Sequence, residues 1–155
     1  MIKLSRLADY GVSLMTRLAN RSGELVTTPD LALVTGLSVP TVGKVLKLLA
    51  QNELIASQRG TKGGYALIRR AEDISVAEII RAVDGPIALT ECMDSENICD
   101  FESLCPTRTN WRKINDVVSD ALEKVSLAEM MSDDLQFPVP VAHARIGSGM
   151  PGMRD

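Results

Sequence analysis

A mostly α-helical fold with one small β-hairpin, a winged helix-turn-helix followed by a long dimerisation helix, is what this sequence predicts. Three observations predict it. Two short capped helices flank the turn Gly36-Leu37-Ser38. A glycine-rich tip, Gln58 to Gly64, separates two short strand-like runs. A late apolar stripe then repeats at intervals of three and four residues from Trp111 onward. With 155 residues, 45% of them hydrophobic, the chain has material for one compact domain and a small appendage. We expect 1–70 to form the winged region and 71–132 to carry the cysteine loop and dimerisation helix as one compact unit with it. Residues 133–155, Pro/Gly-rich and aperiodic, are expected to be a flexible tail.

The elements follow in order. Leu4, Leu7, Val12, Leu14, Met15 and Leu18 recur on one helical face, so 3–20 reads as a first helix, with Asn20 to Glu24 as a loop. Thr28 is the expected N-cap of the second, with Pro29 at its first position, Asp30 in its first turn and Gly36 closing it. Ser38 caps the third. There Val42, Val45, Leu46 and Leu49 form an inward stripe, and Thr41, Gly43, Lys44, Lys47 and Gln51 point away. Leu54–Ser57 and Tyr65–Arg69 read as strands around a hairpin tip carrying Arg59 and Lys62. The glycines of the tip are read as keeping side chains from holding the backbone away from DNA. A phosphate-cradling nucleotide loop is the competing reading of Gly60–Gly64. It fails because no G-x4-G-K-[ST] is present and the loop leads into a strand.

Ser75-Val76-Ala77-Glu78 spells a capping box ahead of a short helix carrying Val76, Ile79, Ile80 and Val83, ended by Asp84-Gly85. Trp111, Ile114, Val118, Ala121 and Val125 then make two heptads of a coiled-coil seam. Such a stripe needs a partner, and the same helix of a second subunit would also supply a two-fold axis. Packing against its own winged domain is the alternative. Ser126-Leu127-Ala128-Glu129 starts one or two more turns of helix.

Net charge is −3, but it is unevenly spread. Residues 1–70 hold ten Lys/Arg against four acids, +6, which leaves −9 for the rest. A basic half joined to an acidic half suits a nucleic-acid reader with a separate sensing region, ordinary solvated surface being the alternative. On that reading Thr41 and Lys44 would contact base edges of double-stranded DNA, and Lys47, Arg59 and Lys62 the phosphates or the minor groove. No apolar run approaches the roughly 20 residues of a membrane span, and Lys3, Arg6 and Asp9 interrupt any secretion signal, so a cytoplasmic location is expected. No paired nucleophile and base is visible, so neither an enzyme nor a small-molecule substrate is expected; the single histidine, His143, lies in the tail.

Cys92, Cys99 and Cys105 are all the cysteines of the chain, and they fall in one fourteen-residue window with the spacing C-x6-C-x5-C. An odd number cannot close into a private disulfide set, and a reducing cytosol would leave them as thiols. Thiolate selects zinc, copper(I) and iron-sulfur clusters. Structural zinc sites usually show short knuckles and four ligands, and this window has neither, so its loose spacing suits an exposed iron-sulfur cluster better. Three thiols without any ligand are the alternative.

Together these parts resemble the BadM/IscR/NsrR-type (Rrf-two) family of bacterial winged-helix regulators. The resemblance covers about 130 residues and rests on L-A-D-Y-G at 7–11, G-L-S-V-P-T-V at 36–42, R-G-T-K-G-G-Y at 59–65, A-V-D-G at 82–85 and the cysteine loop. It implies a homodimeric repressor or activator in which Cys92, Cys99 and Cys105 hold an iron-sulfur cluster, 2Fe-2S in preference to 4Fe-4S, that controls operator choice. Within the family the chain looks like the regulators of the SUF iron-sulfur assembly operon. Some members take a fourth ligand from a histidine three residues after the last cysteine, but Arg108 stands there. Others use an aspartate of the first helix from across the dimer, which Asp9 matches; a solvated acid or an ion-pair partner of Arg6 is its alternative reading. Asp94, Glu96, Asp100, Glu102 or a small exogenous ligand are the substitutes. Thiol-redox or nitric-oxide sensing on the same fold, and a small iron-sulfur electron carrier, are the competing functions.

Overall fold

The computed structural model describes residues 4–90, Met93 and 105–132. Cys92, Cys99, the acids Glu91, Asp94, Glu96, Asp100 and Glu102, His143 and the tail 133–155 lie outside the described residues.

The first helix, α1 (Arg6–Ala19), starts later than its apolar pattern suggests. Ser5 is extended and its hydroxyl accepts the Ala8 N–H at 3.0 Å. Leu4 therefore precedes the helix and is 59% exposed, and the inward face is built by Ala8, Gly11, Leu14, Met15 and Leu18. Gly11 lies against α4 (Val76–Asp84), where an added Cβ would come within 3.3 Å of both Ile79 and Val83. The A-D-Y-G run thus lets two helices pack backbone against side chain, a contact that periodicity did not signal.

Helix α2 (Thr28–Thr35) is capped by Thr27, one residue earlier than expected. Thr27 is extended, its hydroxyl accepts the Asp30 N–H and donates to the Asp30 carboxylate at 2.7 Å, and Pro29 occupies the second position. Gly36 ends α2 at φ 72°, a left-handed conformation in which a Cβ is strained. The chain turns by 116° between α2 and α3 (Val39–Gln51). Ser38 caps α3 as expected, and Val42, Val45, Leu46 and Leu49 are fully buried.

Strands β1 (Ile55–Gln58) and β2 (Gly64–Leu67) pair antiparallel, with Ile55 opposite Leu67 and Gln58 opposite Gly64. Both differ from the expected spans because Leu54 turns inward below the hairpin, its N–H bonded to the Leu49 carbonyl at 3.1 Å. Val26 adds a third short pairing, exchanging two 2.9 Å bonds with Tyr65. A single bridge residue has no period, so nothing in the apolar pattern signals it.

After a single 3-10 turn at Ala71–Asp73, α4 begins at the expected capping box, with Ser75 and Glu78 satisfying each other's backbone N–H groups. Helices α5 (Arg108–Lys124) and α6 (Leu127–Met130) complete the described chain. Between them Val125 is extended and buried, with Val76 N–H bonded to its carbonyl at 2.9 Å and Leu127 N–H bonded to Ile74 at 2.7 Å. The expected seam therefore loses its last member. Val125 belongs to the same buried cluster as α1, α3 and α4, because the chain must turn back there to seat Leu127.

Candidate nucleic-acid interface and cysteine centre

Helix α3 presents the side opposite its buried stripe to solvent. Lys44 and Lys47 are exposed, while Thr41 is half-buried with its hydroxyl 2.7 Å from that of Ser38. Val39, in the first turn, is an exposed apolar side chain that the sequence reading passed over. A Cβ added at Gly43 would meet nothing within 4 Å, so no packing among the described residues requires glycine there.

Arg59 and Lys62 are exposed at the hairpin tip. Two of the tip's glycines are also required by the fold itself. A Cβ at Gly63 would run into the Gln58 carbonyl, and one at Gly64 would lie 2.9 to 3.0 Å from the Val26 backbone. They close the wing onto its own strands. Among the described residues the ion pairs are Arg69–Glu78, Arg70–Glu72 and Arg81–Glu123, none of which engages Lys44, Lys47, Arg59 or Lys62. Four exposed cations without carboxylate partners among the described residues, on one helix face and one loop tip, have the chemistry that phosphate contacts need.

Cys105 stands just before α5, half-buried, its Sγ 3.4 Å from the Thr107 hydroxyl. Hydrogen bonds from the Thr107 hydroxyl and backbone hold its pKa below the usual thiol range. Some burial opposes them, and the Arg108 N–H and charge assist. A helix start that favours thiolate favours a soft-metal ligand or a reactive thiol equally. Asp9 is exposed in the first turn of α1 and makes no ion pair with Arg6. Among the described residues no three His, Cys, Asp or Glu side chains converge. Cys92 and Cys99 lie outside them.

Helix α5 has no buried residue. One side is fastened to α4, where Arg81 pairs with Glu123 and donates to Ser119 at 2.9 Å, and Ser75 donates to Glu123 at 2.9 Å. Those bonds from Arg81 and Ser75 keep the Glu123 carboxyl below its ordinary range. The other side exposes Trp111 (38%), Ile114 (45%), Val117 (68%) and Ala121. Val118, expected in the seam, is half-buried and lines a groove of about 600 Å³ with Leu4, Ile80, Leu89 and Leu122. Its place on the open stripe is taken by Val117. The reason is rotational: the chain's own α4 claims the side of α5 that carries Ser119 and Leu122.

Among the described residues no single helix is long and apolar enough to cross a membrane. The family model described as an iron-dependent transcriptional regulator, Rrf2, matches residues 4–133. The HTH-type transcriptional regulator IscR of Pectobacterium atrosepticum is 32% identical over 133 residues, 85% of this chain and 80% of that one. The protein rrf2 of Nitratidesulfovibrio vulgaris is 31% identical over 85% and 89% of the two chains. Among solved structures, the global cysteine regulator CymR of B. subtilis superposes with a TM-score of 0.69 at 28% identity, covering 84% of this chain and 97% of that one. IscR of T. potens superposes with a TM-score of 0.64 at 30% identity, covering 84% and 86%. The family model and the Pectobacterium relative are both described as transcriptional regulators. A winged helix-turn-helix with an exposed basic face, matched over 4–133, places this chain in the Rrf2 family of transcriptional regulators.

Proposed function

We propose that the protein is a cytoplasmic, homodimeric repressor that senses iron-sulfur cluster or iron status and controls iron-sulfur cluster assembly genes of the SUF type. The observation that carries the sensing half is the match of residues 4–133 to a family model described as an iron-dependent transcriptional regulator, in a chain whose three cysteines share one fourteen-residue window. The residues that would hold a cluster are Cys92, Cys99 and Cys105, with Asp9 of the partner subunit as a weaker oxygen donor; a cluster bound there supplies a cross-link sensitive to oxygen, nitric oxide and iron supply. The rest is work for the chain's own residues. Trp111, Ile114, Val117 and Ala121 pair with a second copy across a two-fold axis. That axis sets the two α3 helices about one DNA turn, roughly 34 Å, apart. Thr41 and Lys44 read base edges, Lys47 holds phosphate, and Arg59 and Lys62 clamp the flanking backbone or minor groove. Tying down the acidic loop, which ends at Cys105, fixes the start of α5 and with it the spacing of the reading heads.

Anaerobic purification followed by iron and sulfide analysis, with mobility shifts on cluster-loaded and cluster-free protein, tests this. A brown dimer containing iron and sulfide, with cluster-dependent operator binding, is the expected result. The half-buried, thiolate-prone Cys105 equally favours a second reading, a cluster-free thiol switch. A colourless protein whose DNA binding responds to diamide would establish that one instead.

A further inference from the structure

The cysteine loop joins the winged half through the short segment that follows α4, and Asn115, midway along α5, grips that segment by its backbone. Its Oδ1 accepts the Leu89 N–H at 2.9 Å and its Nδ2 donates to the Ile87 carbonyl at 3.0 Å. One side-chain amide thus reproduces the two bonds a neighbouring strand would make to residues i and i+2, which needs a short group with one donor and one acceptor. Asn115 lies on the side of α5 that faces its own domain, away from the open stripe of Trp111 and Ile114. A second asparagine works at the end of α4. Asn52, the C-cap of α3, donates from Nδ2 both to the Leu48 carbonyl of its own helix at 2.9 Å and to the Ala82 carbonyl at 3.2 Å. Ala82 is in the last turn of α4 and five residues before Ile87. The end of α4 and the segment after it are therefore held at one side by the recognition helix and at the other by α5, in both cases through side-chain amides.

We propose that Asn115 and Asn52 are positioning residues that couple the cysteine loop to the recognition helix. Asn115 fixes Ile87 and Leu89 to α5, and Asn52 fixes the end of α4 to α3. This rests on the sensor reading above. A loop that changes its hold on the start of α5 must carry Ile87–Leu89 with it while Asn115 holds. The shift reaches α3 through Ala82 and Asn52, because a packed helix moves as a unit.

The test uses three variants of the full chain. In cluster-free protein, Asn115→Leu should speed hydrogen exchange at the Leu89 amide by roughly tenfold, and Asn115→Asp by less, since a carboxylate keeps the acceptor and loses the donor. Asn52→Ala should leave that amide at its wild-type rate. In mobility shifts, the ratio of operator affinities between cluster-loaded and cluster-free forms should shrink toward one by about three- to tenfold for Asn115→Leu and for Asn52→Ala. If Asn115→Leu does not fold, Asn115→Asp carries both measurements. Unaltered Leu89 exchange in the Asn115 variants overturns the clamp. A wild-type protein that responds to its cluster, with variants that respond equally, overturns the coupling alone. A wild-type protein whose DNA affinity ignores the cluster removes the sensor reading and this inference together.

Discussion

Helices α3 and α5 are both amphipathic, with apolar residues recurring every three to four positions, yet they end in opposite situations. The stripe of α3 is fully buried, whereas α5 is the longer helix and buries no residue at all. The difference lies in what surrounds them. Helix α3 is enclosed by α1, α2, α4 and β1, while α5 touches the domain along one side and leaves its apolar side open. Periodicity thus measures the need for a partner and is silent on where the partner comes from.

The largest expected effect probes the covered stripe. Leu46→Ala should cost about 2–5 kcal/mol of unfolding free energy, read by urea denaturation, because the cavity it leaves is enclosed on all sides. Ile114→Ala should change monomer stability by no more than about 0.5 kcal/mol, since it remains 45% exposed beside the described residues. A large loss there would show that α5 is covered from within and would erase the contrast.

Ile114→Glu places a charge on the open side of α5, where two symmetry-related copies would meet. The dimer should dissociate in sedimentation, with a red-shifted emission from Trp111, the only tryptophan. An unaffected dimer would move the subunit interface to another surface.

The cationic side chains of the reading side should respond in binding and not in folding. Arg59→Ala is expected to weaken operator binding by about 1–3 kcal/mol, and Lys47→Ala to lower affinity evenly across sequences while reducing the salt slope by about one. Gly63→Ala should affect the wing more than either, since its Cβ meets the Gln58 carbonyl. Gly43→Ala has the opposite sign for folding: with open space around it, the change should raise stability by about 1 kcal/mol. An unfolding midpoint that fails to rise would mean that the space is occupied, as by a second subunit.

The smallest effect concerns how α5 is fastened to α4. The bonds from Arg81 and Ser75 lower the Glu123 pKa in the folded state, so the stability they confer is complete above the ordinary carboxylate range and is lost as pH falls through that lowered value. Glu123→Gln should remove this acid-dependent step in a pH titration of α5 hydrogen exchange while leaving neutral-pH behaviour nearly unchanged, as expected for an exposed pair. An unaltered acid profile would assign the fastening to other groups.

What was legible in the sequence was local. Caps at Ser38, Ser75 and Ser126, the stop at Gly36 and the stripe of α3 follow from hydrogen-bonding chemistry and helical period, which act within a few residues. The basic face of α3 and the tip at Arg59 and Lys62 were readable for the same reason: once a stripe faces inward, its opposite side is fixed. The cap at Thr27 was missed by one residue because two adjacent threonines offer the same hydroxyl.

Only the tertiary structure decided the rest. It turned Val125 from seam to core, exchanged Val118 for Val117 on the open side of α5, joined Val26 to the wing and placed Gly11 where α4 passes close by. It also set Asn115 against the segment leading to the cysteines and Asn52 against the end of α4. Each of these pairs groups distant in the chain, and such pairings depend on how helices rotate and cross, a choice made by the packing of the whole core and written in no single stretch of sequence.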